Sequence, residues 1–183
     1  MLEQKQKHDE LLVEIIQNCD WYHTLKDIRA EQLPDWWVAG GAVRNTVWKH
    51  LYKEDCHLGV KDLDVVYFDS KTNREVELAS KASLSSKHPD WPFDVKNQAS
   101  FGIWRDWPWS FTSSADGIKH FLHTANAVGI RLTADDRILI CQPYGLQDLF
   151  SGILRRTPIR QDSEVALKKQ EEYMRNCSRL KAQ

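Results

Sequence analysis

Residues 36–51 read WWVAGGAVRNTVWKHL, and a short loop later residues 61–69 read KDLDVVYFD. Trp36 to Ala39 is an apolar run that ends in two glycines, as a buried strand does before a tight turn. Val43, Val47, Trp48 and Leu51 then fall at i, i+4, i+5 and i+8, one face of a helix that opens near Ala42. Leu63 to Phe68, rich in Val, Tyr and Phe, reads as a second strand. Two acids, Asp62 and Asp64, stand at its entrance. This order of strand, glycine turn, helix and acid-led strand predicts an α/β (α+β) chain with helices packed on a mixed sheet.

The same residues carry the chemistry. Backbone approaches a phosphate closely only where no Cβ intrudes, so Gly40 and Gly41 are candidates for phosphate contact. A helix starting behind them offers free N–H groups and a favourable dipole to an anion. Arg44, in the first turn, adds charge. A glycine pair also serves as a plain tight turn, and both readings stand. Residues i and i+2 of a strand share a face, so Asp62 and Asp64 can hold divalent ions together. Mg²⁺ (or Mn²⁺) is the expected metal, because carboxylate, water and phosphate oxygens suit it. Like charges this close repel unless a cation intervenes. Asp94, in FDVKN, is the candidate third carboxylate, with a strand-end acid paired to Lys96 as its alternative. Asp69 competes, but its odd offset from Asp64 aims it at the opposite face.

Outward from this centre, residues 3–18 read as an amphipathic helix and Leu25, Ile28 and Leu33 as part of a second, stopped near Pro34. Residues 73–86 read as a helix and Phe93 to Asn97 as a strand. A further helix starts near Ser113, with Ser as its cap, and runs through Phe121. Strands over 127–132 and 137–142 flank a turn at 133–136. Residues 144–150 form a short helix or turn, 153–156 a last strand, and 162–180 a closing polar helix.

The chain has 183 residues, enough for one domain with its own core, and a net charge of -1. A globally basic nucleic-acid binder is therefore not indicated, although a local patch stays open. The basic tail from Lys168 reads as a solvated helix end. Cys19, Cys56, Cys141 and Cys177 form no zinc spacing with each other or with His and read as free thiols. The charged start lacks an apolar signal core, and no apolar run approaches the roughly 18 residues of a membrane span. A cytoplasmic protein is expected.

VAGGAVRNTVW, DLDVVYFD, DVKNQA, TANAVGIRL and PYGLQDLF, in this order, resemble a group of bacterial nucleotidyltransferase-like proteins of unassigned substrate. They lie within the DNA polymerase β-like nucleotidyltransferase superfamily, alongside CCA-adding enzymes and kanamycin nucleotidyltransferases. The resemblance covers about residues 33–157, leaving the N-terminal helices (3–33) and the C-terminal helix (162–180) as decoration on a single domain. It implies that Gly40 and Gly41 hold a triphosphate, that Asp62 and Asp64 bind metal, and that Asp94 is the third acid and general base. It lets Lys96 and Asn97 touch phosphate or ribose. It does not extend to the long helical domain with which CCA-adding enzymes hold tRNA, so a full tRNA 3′-end polymerase is not expected.

Three functions follow. The first is a Mg²⁺-dependent nucleotidyltransferase that uses a nucleoside triphosphate and an unidentified acceptor hydroxyl. The second is an inactive nucleotide-binding or antitoxin-like partner on the same fold. The third is an interaction domain that docks through the Trp-rich segment 91–109; the run at 104–109 also serves as a candidate lid or acceptor pocket. Arg131, on a predicted strand, is a further candidate for the site. Asp148 is read as structural, through Arg155 or Arg156.

Overall fold

The computed structural model describes residues 2–71, 74–101 and 109–183. Helix α1 (Leu2–Gln17) and helix α2 (Leu25–Ala30) precede strand β1 (Trp37–Ala39) and helix α3 (Gly41–Tyr52). Strand β2 (Leu63–Tyr67), helix α4 (Arg74–Lys87) and strand β3 (Phe93–Asn97) follow. Then come helix α5 (Ser114–Lys119), strands β4 (Gly129–Leu132) and β5 (Ile138–Cys141), and helix α6 (Gln147–Ser151). Strand β6 (Ile153–Leu154), helix α7 (Glu164–Asn176) and strand β7 (Lys181–Ala182) complete the described elements.

Five strands make a mixed sheet in the order β3-β2-β1-β4-β5. β1 runs antiparallel to both β2 and β4, whereas β2 and β3 are parallel and joined through α4. Strand alternation divides the residues between two faces. Val38, Leu63, Val65, Tyr67, Phe93, Val95 and Ile130 fill the main core, which α1, α2 and α3 cover with Leu12, Ile16, Leu25, Ile28, Val47 and Trp48. Each such side chain contributes about 1.5–3 kcal/mol when fully buried. Trp48 also donates from Nε1 to the Leu149 carbonyl at 2.9 Å, tying α3 to α6. On the other face, Trp37, Ala39, Val66, Ile118, Ala127 and Cys141 form a smaller cluster against α5. That smaller cover leaves room beside it for a cavity.

Local signals place the ends of elements. Ser113 caps α5 by accepting from Asp116 N, and Ser163 caps α7 by accepting from Ala166 N. Asp148 accepts from Arg155 Nε at 2.9 Å, the structural pairing expected of it. Three expectations need correction. The strand at 153–156 is not the last: it is shortened to β6, which pairs in parallel with β7 in a separate two-stranded sheet. The closing helix stops at Asn176 because the Cys177 backbone turns extended (φ -149°, ψ 99°) and pairs with that of Cys56 in an isolated antiparallel β-bridge, both thiols staying free. Arg131 does not line the cavity described below; its guanidinium lies over Trp37, 4.5 Å from the ring centre, and 3.6 Å from Asp35. The run at 104–109 falls, except for Trp109, outside the described residues.

Candidate active site

The glycine turn joins β1 to α3. Gly40 has φ +69° and ψ -121°, a conformation that a side chain strains. Its N–H donates to Val128 O, and its carbonyl accepts from Arg44 N, both at 3.0 Å. A Cβ at Gly40 would meet Phe121 Cε2 at 3.1 Å and Asp64 Oδ2 at 3.8 Å, so the turn lies directly over the carboxylate strand. A Cβ at Gly41 would meet nothing within 4 Å. The first N–H groups of α3, from Gly41 on, have no intrahelical acceptor and favour an anion.

Sheet register builds the acidic part. Ala39 stands opposite Asp64, and Asp64 opposite Asp94, so the carboxylates sit side by side on neighbouring strands. Asp62 is exposed immediately before β2. Lys96, two residues beyond Asp94 on the same face, places Nζ 2.5 Å from Asp94 Oδ2 and 3.4 Å from Asp64 Oδ1. Burial pushes the Asp64 carboxyl above its ordinary pKa; Lys96 opposes this, and the neighbouring Asp62 and Asp94 add to it. Burial works against the Lys96 ammonium, but the two carboxylates outweigh it and hold the pKa above the ordinary lysine value.

Gly40, Gly41, Arg44, Asp62, Asp64 and Lys96 all line one cavity of about 630 Å³, a size typical of small-ligand sites. Arg44 is only 3 % exposed. Its Nε and Nη2 donate to Asn45 Oδ1 at 2.9 and 2.7 Å, and Nη1 donates to Asn126 Oδ1. Asp94 does not line the cavity; its carboxylate is taken up by Lys96. Asn97 is not brought to the cavity either. It points to the opposite face of β3, where its side chain accepts from Asp69 N and Ala99 N and donates to Asp69 O.

The sequence reading missed the rest of the wall. Phe101, Phe111 and Phe121 line one side, with Gln98 packed so tightly on Gly117 that a Cβ there would lie 1.9 Å from Gln98 Oε1. Lys169, Glu172 and Tyr173 of α7 line another side, so the closing helix supplies part of the cavity wall. Asn126 belongs to the quoted TANAVGIRL segment, which was its one signal; the polar helix gave none. Among the described residues, no group of three or more His, Cys, Asp or Glu side chains is arranged to hold a metal ion.

A family described as nucleotidyltransferase matches residues 26–182, including α7. Among solved structures, one similar chain is a protein whose NMR structure reveals a CCA-adding enzyme head domain. It has a TM-score of 0.78 and 26% identity over 94% of each chain. The Thermotoga maritima CCA-adding enzyme, solved with tRNA, has a TM-score of 0.55 and 15% identity, over 81% of this chain and 35% of that one. A tRNA-processing enzyme in an apo form gives 0.54 and 16%, over 81% of this chain and 41% of that one. These last two are likenesses of fold alone. No curated protein matches the sequence.

Proposed function

The chain belongs to this nucleotidyltransferase family, and from that premise we propose that it moves a nucleoside monophosphate from a nucleoside triphosphate to an acceptor hydroxyl. The observation that carries this reading is the convergence of Gly40, Gly41, Arg44, Asp62, Asp64 and Lys96 on one cavity. The triphosphate lies along the start of α3, against the open side of Gly41 and the Arg44 guanidinium. The acceptor oxygen attacks the α-phosphorus; its bond forms as the bond to the bridging oxygen breaks, and pyrophosphate leaves. Asp94 takes the acceptor proton, which requires Lys96 to release it and turn towards phosphate.

The donor set fits a hard divalent cation such as Mg²⁺ or Mn²⁺. Asp62 and Asp64 offer only oxygen ligands at the cavity wall. Substrate phosphate oxygens and water would complete such a two-carboxylate site. An ion held there would supply positive charge against the phosphates. No helix among the described residues is long and apolar enough to cross a membrane. The four free cysteines suit a reducing compartment, and cytoplasmic location belongs to this reading.

Pyrophosphate release from each of the four nucleoside triphosphates, with Mg²⁺ or Mn²⁺, tests the proposal. Substrate hydrolysis or acceptor labelling should require Asp64 and stop in Asp64→Asn. Full metal-dependent activity in that variant would overturn the assignment of Asp64. Binding without any pyrophosphate would instead mean that the Lys96 bridge keeps the carboxylates inactive and that the chain acts as a nucleotide-binding partner.

A further inference from the structure

Arg44 is buried, yet it makes no ion pair with a carboxylate among the described residues. Three of its five N–H donors end on the neutral amide oxygens of Asn45 and Asn126. Its guanidinium plane is held by two rings: Tyr173 at 4.0 Å from the centroid and Trp48 at 5.2 Å. These rings meet edge to face at 6.4 Å, and Tyr173 makes a second edge contact with His123 at 6.1 Å. A buried carboxylate in place of Tyr173 would neutralise the guanidinium. A neutral ring fixes its position and leaves its charge uncancelled for an incoming phosphate. The acid next in sequence, Glu172, is occupied by Lys169 at 2.7 Å.

We infer that Tyr173 is a positioning residue for Arg44, so that the phosphate site is completed by the C-terminal helix rather than by the glycine turn and sheet alone. This rests on the proposed nucleotide site. Tyr173 acts through Arg44 and need not touch the substrate. Removing the ring should leave the guanidinium charged but held only by Asn45, Asn126 and Trp48, weakening phosphate binding without abolishing it.

The test uses the full chain and inorganic tripolyphosphate with Mg²⁺, read by calorimetry, so that no base or acceptor need be known. Tyr173→Leu should weaken binding about five- to tenfold, while Tyr173→Phe, which keeps the ring, should stay within about twofold of wild type. Arg44→Met should weaken binding further, and adding Tyr173→Leu to it should cost nothing more. If the leucine variant lacks a cooperative thermal transition, Tyr173→Met, which fills the space without a ring face, takes its place. Affinity unchanged in the ring-less variant but lost in Arg44→Met would overturn the positioning role and leave the nucleotide site standing. An equal loss in Tyr173→Phe would also overturn it, because the hydroxyl would then be responsible. No binding of tripolyphosphate by the wild type would defeat the nucleotide-site reading itself.

Discussion

Gly40 and Gly41 are neighbours, yet replacing each with alanine should have opposite effects on stability. At Gly40 the backbone (φ +69°, ψ -121°) is one that L residues rarely adopt. Holding a non-glycine residue there costs about 1–3 kcal/mol. The new methyl would also stand 3.1 Å from the Phe121 ring, which must yield by a few tenths of an ångström. A cost of about 2 kcal/mol in a chain of this size lowers Tm by about 4–8 °C. Gly41 starts α3 without a positive φ, and its Cβ would meet nothing within 4 Å. Alanine there restricts the unfolded chain and should stabilise by about 0.4–1 kcal/mol, raising Tm by about 1–4 °C. That same methyl would stand in the space given to the triphosphate, so Gly41→Ala should bind nucleotide more weakly while melting higher. Paired thermal denaturation and nucleotide titration of the two variants provide the assay. Equal changes in Tm, or a more stable Gly40→Ala, would refute the reasoning about the turn; undiminished nucleotide binding in Gly41→Ala would refute the placement of the phosphates.

Three further outcomes follow from the electrostatics. Asp64→Asn should melt no lower than wild type at pH 7 despite losing activity: the raised pKa of Asp64 gives stability only below the ordinary carboxylate range, lost as pH rises through the folded value. A clear drop in Tm at pH 7 would contradict this. Lys96→Met should destabilise the protein at pH 7 by about 1–2 kcal/mol, because Asp64 and Asp94 lose their shared ammonium; urea denaturation checks it, and an unchanged midpoint would count against the bridge. Burial holds the pKa of His123 down to about 4, and neither ring nitrogen has a hydrogen-bond partner. Its neutral form therefore contributes stability that is complete above about pH 6.5 and is lost as pH falls towards 4, about 3 kcal/mol in all. His123→Phe should flatten that acid limb in a Tm-against-pH series, and a limb unchanged in shape would remove His123 as its cause.

The five strands of the main sheet were legible because each carries apolar residues at strand spacing, and parity places Leu63, Val65 and Tyr67 of β2 in the core; β7, Lys181–Ala182, has no such pattern. Their pairing was not legible: nothing local to Trp37–Ala39 says that it runs antiparallel between β2 and β4. The same parity, applied to β3, excludes Asn97 from the Asp94 and Lys96 face; its expected role came from adjacency in sequence alone. Lys96 beside Asp94 was readable as i, i+2, whereas its reach to Asp64 needed the β2–β3 register. The α7 wall was hidden because a site-lining helix carries charges on its inner side, and period alone then reads it as solvated.

The register that sets Asp94 beside Asp64 also makes this centre depend on one edge of the sheet. It belongs to the parallel pairing of the five-stranded sheet, closed through α4, and joins residues thirty positions apart. A chain that has folded everything except its β3 edge already owns the glycine turn and Asp64, but has no ammonium beside that carboxylate. The centre is therefore only as firm as the attachment of that edge strand, and a ligand that needs the whole of it holds the strand in place.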